Sequence, residues 1–130
     1  MKGTFEIMNT TLIIIAICAG FMVFDIVTGL FQAIANKTYA SSKMRVGLWH
    51  KISFVLIIAL AVGLEFAQGF IDLGFTVPLV VPVCAYICMN EIGSIIENLA
   101  LLNPKLVPAK LRELLNIKFD IDHDDETKEG

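Results

Sequence analysis

Apolar residues gather into three long runs along the chain, over about 11–35, 52–70 and 78–102, with short polar stretches between them. A helix needs roughly 20 apolar residues to cross a bilayer core, and helices of soluble cores are usually shorter and amphipathic. The pattern therefore predicts an all-α integral membrane protein with three transmembrane helices. Residues 1–10 read as a polar entry, 36–51 as the first loop and 72–78 as a tight turn. Ser41 and Ser42 offer hydroxyls that could cap a short helix start. Pro78 and Pro82 fall early in the third run, where missing N–H groups are best tolerated. After Asn103-Pro104 the apolar pattern stops. Over 108–118, Leu111, Leu114 and Leu115 make one flank while Lys110, Arg112 and Glu113 are polar, which predicts a short C-terminal amphipathic helix on the membrane surface. Residues 119–130 read as an acidic, disordered tail.

Polar residues inside the runs are not scattered. Asp25 lies in the first, and a carboxylate there costs about 3 kcal/mol on insertion scales. At about 100° per residue, Thr28, Gly29, Gln32 and Asn36 fall within roughly 60° of it, so the helix carries one polar and small-residue stripe. Glu65 and Gln68 share a face near the far end of the second run, with Gly69 and Asp72. The third run carries Cys84, Cys88, Glu91, Ser94 and Asn98 on one stripe and Tyr86, Asn90, Gly93 and Glu97 on another, leaving Ala85, Met89, Ile92 and Ile96 as its lipid-compatible side. Glu97 and Asn98 also fit a position where the helix enters the interface. The pairs Ala16/Gly20 and Gly29/Ala33 let helix backbones approach closely. Asp25 and Glu91 fall at similar depth and are expected to be neighbours, with Glu65 toward the opposite mouth.

Composition agrees with the pattern. The 130 residues are 56% hydrophobic, with a mean hydropathy of +0.74, too apolar for a soluble domain of this size. Net charge is −3, and its distribution says more than its sum. Lys37, Lys43, Arg45 and Lys51 lie between the first two runs; Lys105, Lys110 and Arg112, with Lys118, follow the third; the second turn has no basic residue. Both clusters on the cytoplasmic side place the N-terminus outside and the C-terminus inside. Tyr39 and Trp49 are the aromatics expected at a headgroup boundary. The basic clusters are short and lack interleaved aromatics, so nucleic acid is not an expected partner. Lys2 before an apolar run resembles a signal peptide, but the run is too long for an h-region and Cys18 lacks a preceding small residue; the segment reads as a retained span.

Little catalytic chemistry is available. No Ser/His/Asp arrangement or phosphate-binding glycine loop is present in the sequence, and no enzyme activity or cofactor is expected. Cys84 and Cys88 lie one turn apart, but His50 and His123 fall outside the runs, so a zinc site is not expected and the cysteines read as small apolar filler. Asp25, Glu65 and Glu91 could relay protons, line a pore or bond across a bundle.

Three features together resemble the toxin-secretion and phage-lysis holins: Phe24-Asp25-x-x-x-Gly29; a basic first loop with Ser41-Ser42, Gly47 and Lys51; and Glu91-x-x-Ser94-Ile95-x-Glu97-Asn98 followed by Pro104-x-x-x-Pro108. The likeness covers about Phe24 to Leu115. It implies a phage or prophage protein that accumulates in the bacterial cytoplasmic membrane, associates with itself and with lipid, and opens lesions at a timed moment so that an endolysin or a toxin leaves. The acidic tail departs from the basic ending common in that family, and the basic residues between Lys105 and Lys118 stand in for it. On this reading Asp25, Thr28, Gly29, Gln32, Glu65, Gln68, Glu91, Ser94, Glu97 and Asn98 are pore or oligomer-interface candidates. Two other readings stay open: a small ion or proton channel or transporter component, and a membrane adaptor that docks partners through its C-terminal segment.

Overall fold

The computed structural model describes residues 2–106, together with 108, 110 and 113. It contains α1 (Lys2–Ala35), α2 (Ser41–Ala67), α3 (Val80–Leu102) and a 3-10 turn at Pro104–Leu106; no strand occurs among the described residues. The amphipathic helix expected over 108–118 and the tail over 119–130 lie outside the described residues apart from those three positions, and within them α3 is succeeded by the 3-10 turn. All three helices are long and apolar enough to cross a membrane.

Each helix end has a local cause. α1 contains no proline and closes with Lys37 in the left-handed region, φ 56°. The Thr38 amide donates to the Ala33 carbonyl at 2.9 Å and the Lys37 amide to Ile34 at 3.2 Å. This paired closure usually uses glycine at the left-handed position. α2 starts at Ser41 after an extended Ala40, and no hydroxyl caps it. The first connection is thus much shorter than the basic loop expected over 36–51. Lys43, Met44, Arg45 and Lys51 are helical, because that stretch contains good helix formers and its one glycine, Gly47, does not break it. The turn from α2 to α3 is held by side chains. Asp72 Oδ1 accepts the Gly74 amide at 2.9 Å, and Gly74 takes φ 76°, a conformation that costs a residue with a Cβ. Asn103 is extended before Pro104, as proline requires of its predecessor.

α3 is the central element. It packs along α1, running in the same direction, and over a shorter stretch against α2; direct packing of α1 on α2 is sparse. Its buried residues Val80, Cys84, Ile87, Glu91 and Ile95 recur every three or four positions, one face of a helix. Cys18 and Met22 of α1 and Phe54, Ile58 and Ala61 of α2 close the apolar core around that face. Cys18 and Cys84 are fully buried in it, as apolar filler would be. Phe5, Ile13, Ile17, Leu56, Leu60 and Met89 point outward and are exposed. Such a surface suits lipid, but lipid gives no hydrophobic drive between helices. Close packing and polar contacts must hold the bundle together.

Candidate functional site

The buried stripe of α3 is apolar except at Glu91, the middle residue of the helix. There the ammonium of Lys51, from α2, lies 2.7 Å from Glu91 Oε2 and 2.6 Å from Asp25 Oδ2 of α1. One cation thus joins all three helices. Side-chain exposure is 3% for Glu91, 12% for Lys51 and 16% for Asp25, so the cluster belongs to the interior. Asn98 completes it. Its amide nitrogen donates to Asp25 Oδ1 at 2.9 Å and lies 3.1 Å from the hydroxyl oxygen of Thr28 and 3.2 Å from the Asp25 carbonyl. Thr28, itself buried, turns its hydroxyl back to the Phe24 carbonyl at 2.9 Å. Gly29 faces the Asn98 amide: a Cβ there would lie 3.4 Å from Asn98 Nδ2, in ordinary contact, and a longer side chain would meet it. Every buried side-chain nitrogen and oxygen among the described residues has a hydrogen-bond partner. Satisfaction of this kind is what a polar cluster in a low-dielectric interior requires.

Asp25, Thr28, Gly29, Glu91 and Asn98 therefore meet at one place. Asp25 and Glu91 face each other across Lys51 rather than directly. Ser94, Gln32 and Glu97 border the cluster without joining it; Ser94 and Gln32 are half-buried and Glu97 is exposed. Two clefts flank the first half of α2. One, of about 300 Å³, runs from Thr38, Lys43 and Gly47 past Gln32 and Glu97 to Asp25 and Lys51. The other, of about 530 Å³, is lined by Val46, Trp49, His50, Asn90 and Ser94 and reaches Lys51 and Glu91. The ion cluster can thus be approached from both sides of α2.

Lys51 departs most from the sequence expectation, which grouped it with surface residues that set topology. It points inward because it shares a face with Phe54, Ile58 and Ala61, the buried residues of α2. That spacing was readable once the helix was known to extend back to Ser41. Lys37, Lys43, Arg45, Lys105 and Lys110 are exposed, and Arg112 lies outside the described residues.

Glu65 and Gln68 serve a separate site at the opposite end. Glu65 Oε2 accepts the backbone amides of Leu79 at 3.0 Å and Val80 at 2.8 Å. Pro82 has no amide hydrogen, so a single carboxylate satisfies most of the orphan donors at the start of α3. It also lies against the positive end of the helix dipole. Gln68 exchanges two bonds with the backbone of Val77, at 2.7 and 3.0 Å. Glu65 is thus turned onto α3 rather than out to an open mouth. Among the described residues no cluster of His, Cys, Asp and Glu could hold a metal ion.

The arrangement is one ammonium shared by two carboxylates and ringed by hydrogen-bonded polar groups, buried between three apolar helices. No curated protein and no solved structure matches the chain. The sequence model of the bacteriophage holin family matches residues 4–118, a region that includes all three helices apart from the first residues of α1 and every residue of the ion cluster. The family is one of membrane pore formers and not a class of enzymes, and the chain belongs to the bacteriophage holin family.

Proposed function

We propose that this holin accumulates as a multi-pass protein of the bacterial cytoplasmic membrane, with its N-terminus outside and its C-terminus inside. There it oligomerises and opens lesions at a timed moment that let an endolysin, or a toxin, leave the cell. The observation that carries this reading is the Asp25–Lys51–Glu91 cluster in an otherwise apolar bundle. A lesion-forming protein must be stable in lipid first and line water later. Charged groups buried against each other meet the first demand, and the same groups turned outward meet the second. α2 is the element suited to move, because it packs on α3 over a short stretch, touches α1 sparsely and has clefts on both sides of its first half. Lys51 is the pin that holds it. Before triggering, the Asp25, Lys51 and Glu91 faces are mutually buried; afterwards at least one faces an aqueous opening.

Inducing the protein with and without a co-expressed endolysin tests this. Abrupt loss of culture turbidity only with endolysin, after a fixed delay, is the expected result. Leakage of ions without release of endolysin would favour a channel, the reading to which the clefts leading to Lys51 lend support.

A further inference from the structure

The second polar stripe of α3 has no role in the protomer. Asn90 and Glu97 are exposed and make no side-chain hydrogen bond or ion pair among the described residues. Tyr86 on the same face is 65% exposed. Gly93 has nothing within 4 Å of the position its Cβ would take, so the smallness of this residue is not used by its own chain. Asn90 adjoins the middle residue of α3, a helix long and apolar enough to cross a membrane, and so falls within the span rather than at its ends. A primary amide left there against lipid is costly, and polar side chains at such positions bond across helices.

We infer that the Tyr86–Asn90–Gly93 part of this stripe is the contact surface for a second copy of this chain, paired about a two-fold axis along the membrane normal, with the helices diverging before Glu97. The inference rests on the self-association in the proposed function and names the face that carries it. Three observations select a second copy as the occupant. At this depth only another membrane-embedded segment can reach Asn90. Copies inserted in one orientation present the same residue at the same depth, so Asn90 meets Asn90, and an amide is both donor and acceptor and thus complementary to itself. Gly93, one turn on, lets the two α3 backbones approach closely enough for those short side chains to meet. Beside the stripe the Val46, Trp49 and His50 side of α2 forms the wall of an open groove, where the neighbouring α3 can seat.

Disulfide trapping in membranes tests this on the full chain, whether or not the cells lyse. Cys18 and Cys84 are buried but Cys88 is part-exposed, so Asn90→Cys and Gly93→Cys are made in a Cys88→Ala chain and oxidised mildly beside that chain alone and beside Ile92→Cys, which points to the other side. Both stripe variants are expected to give a species of twice the chain mass, with little from the two controls. Dimers from Ile92→Cys with none from the stripe, or stripe cysteines joined only to a different protein, would overturn the inference. Gly93→Leu fits the open space of the protomer. Added to Asn90→Cys it should sharply lower the yield of trapped dimer, because the larger side chain holds the two α3 backbones apart. An undiminished dimer would rule out the close-approach geometry. Should Asn90→Cys fail to accumulate, Gly93→Cys reads the same contact.

Discussion

Replacing Lys51 by Met removes the only cation from a site where two carboxylates converge. Both acid oxygens bond the same ammonium, at 2.6 and 2.7 Å, which puts them no more than about 5 Å apart. Two unit charges at that separation repel by about 3 kcal/mol at an effective dielectric of about 20. Removing one partner of a buried pair costs about 3–5 kcal/mol by experience with other proteins. The two figures describe the same loss from different directions and agree. About 3 kcal/mol shifts an equilibrium between a pinned and a released α2 by more than about a hundredfold. If pinning sets the delay, Lys51→Met should lyse an induced, endolysin-bearing culture well before the unaltered protein does.

The assay follows turbidity after induction, with membrane-bound holin measured by immunoblot so that timing is compared at equal amounts. Lys51→Arg keeps a cation and should stay near the normal schedule. The triple variant Asp25→Asn, Lys51→Met, Glu91→Gln removes all three charges and replaces them with groups of similar size. It should lyse later than Lys51→Met alone, because a buried ionic cluster exchanged as a unit costs far less than one broken. Lysis by Lys51→Met on the normal schedule at normal abundance would refute the pin. So would a triple variant as early as the single one.

Glu65→Ala should free the Leu79 and Val80 amides and cost about 1–2 kcal/mol, as lost helix caps do; faster amide hydrogen exchange at residues 79–81 reads it, and Glu65→Gln should retain much of the protection. Gly29→Ala should be tolerated, since its Cβ reaches only ordinary contact with Asn98 and helix propensity improves by about 1 kcal/mol. Gly29→Leu should displace the Asn98 amide and advance lysis, and Asn98→Ala should do the same; equal timing of Gly29→Leu and the unaltered chain would count against a role for Asn98. Lys37→Gly should be neutral or stabilising by up to about 1 kcal/mol, because it relieves a left-handed lysine, checked by resistance of the detergent-solubilised protein to thermal unfolding. An uncoupler added before the normal time should advance lysis by the unaltered chain and have a smaller effect on the triple variant.

The three helices were legible because hydropathy over 20 residues reports a span directly, and the angular spacing from Asp25 correctly grouped Thr28 and Gly29 on one face. The depth comparison also placed Asp25 and Glu91 together. Lys51 was not legible by the same route. Charge alone assigns a lysine to a loop, and only the run Lys51, Phe54, Ile58, Ala61 shows that it sits on the buried face. Glu65 was expected at the end where it lies, but its partners were not legible, for a different reason. Its partners are backbone amides of Leu79 and Val80, which carry no signature in a pattern of side chains. The unpaired start of α3, with prolines at 78 and 82, was the available clue that some acceptor had to be supplied.

The electric field constrains which part of the lock can answer to voltage. The cluster sits at the middle of α3; with that point at the bilayer midplane, moving one of its charges to either face crosses half of the membrane potential, or about 1 kcal/mol per charge at 100 mV. With the cell interior negative, Lys51 moving to the cytoplasmic side would gain that energy while the membrane is energised. A release of Lys51 inward is therefore favoured by the potential and cannot be what its collapse permits. Inward movement of Asp25 and Glu91 has the opposite sign. Two carboxylates displaced together would be opposed by about 2 kcal/mol until the potential falls. A trigger that responds to depolarisation thus requires α2 to move outward relative to α1 and α3, either carrying Lys51 toward the outer face or leaving Asp25 and Glu91 to shift toward the cytoplasm; both are opposed by the potential until it falls.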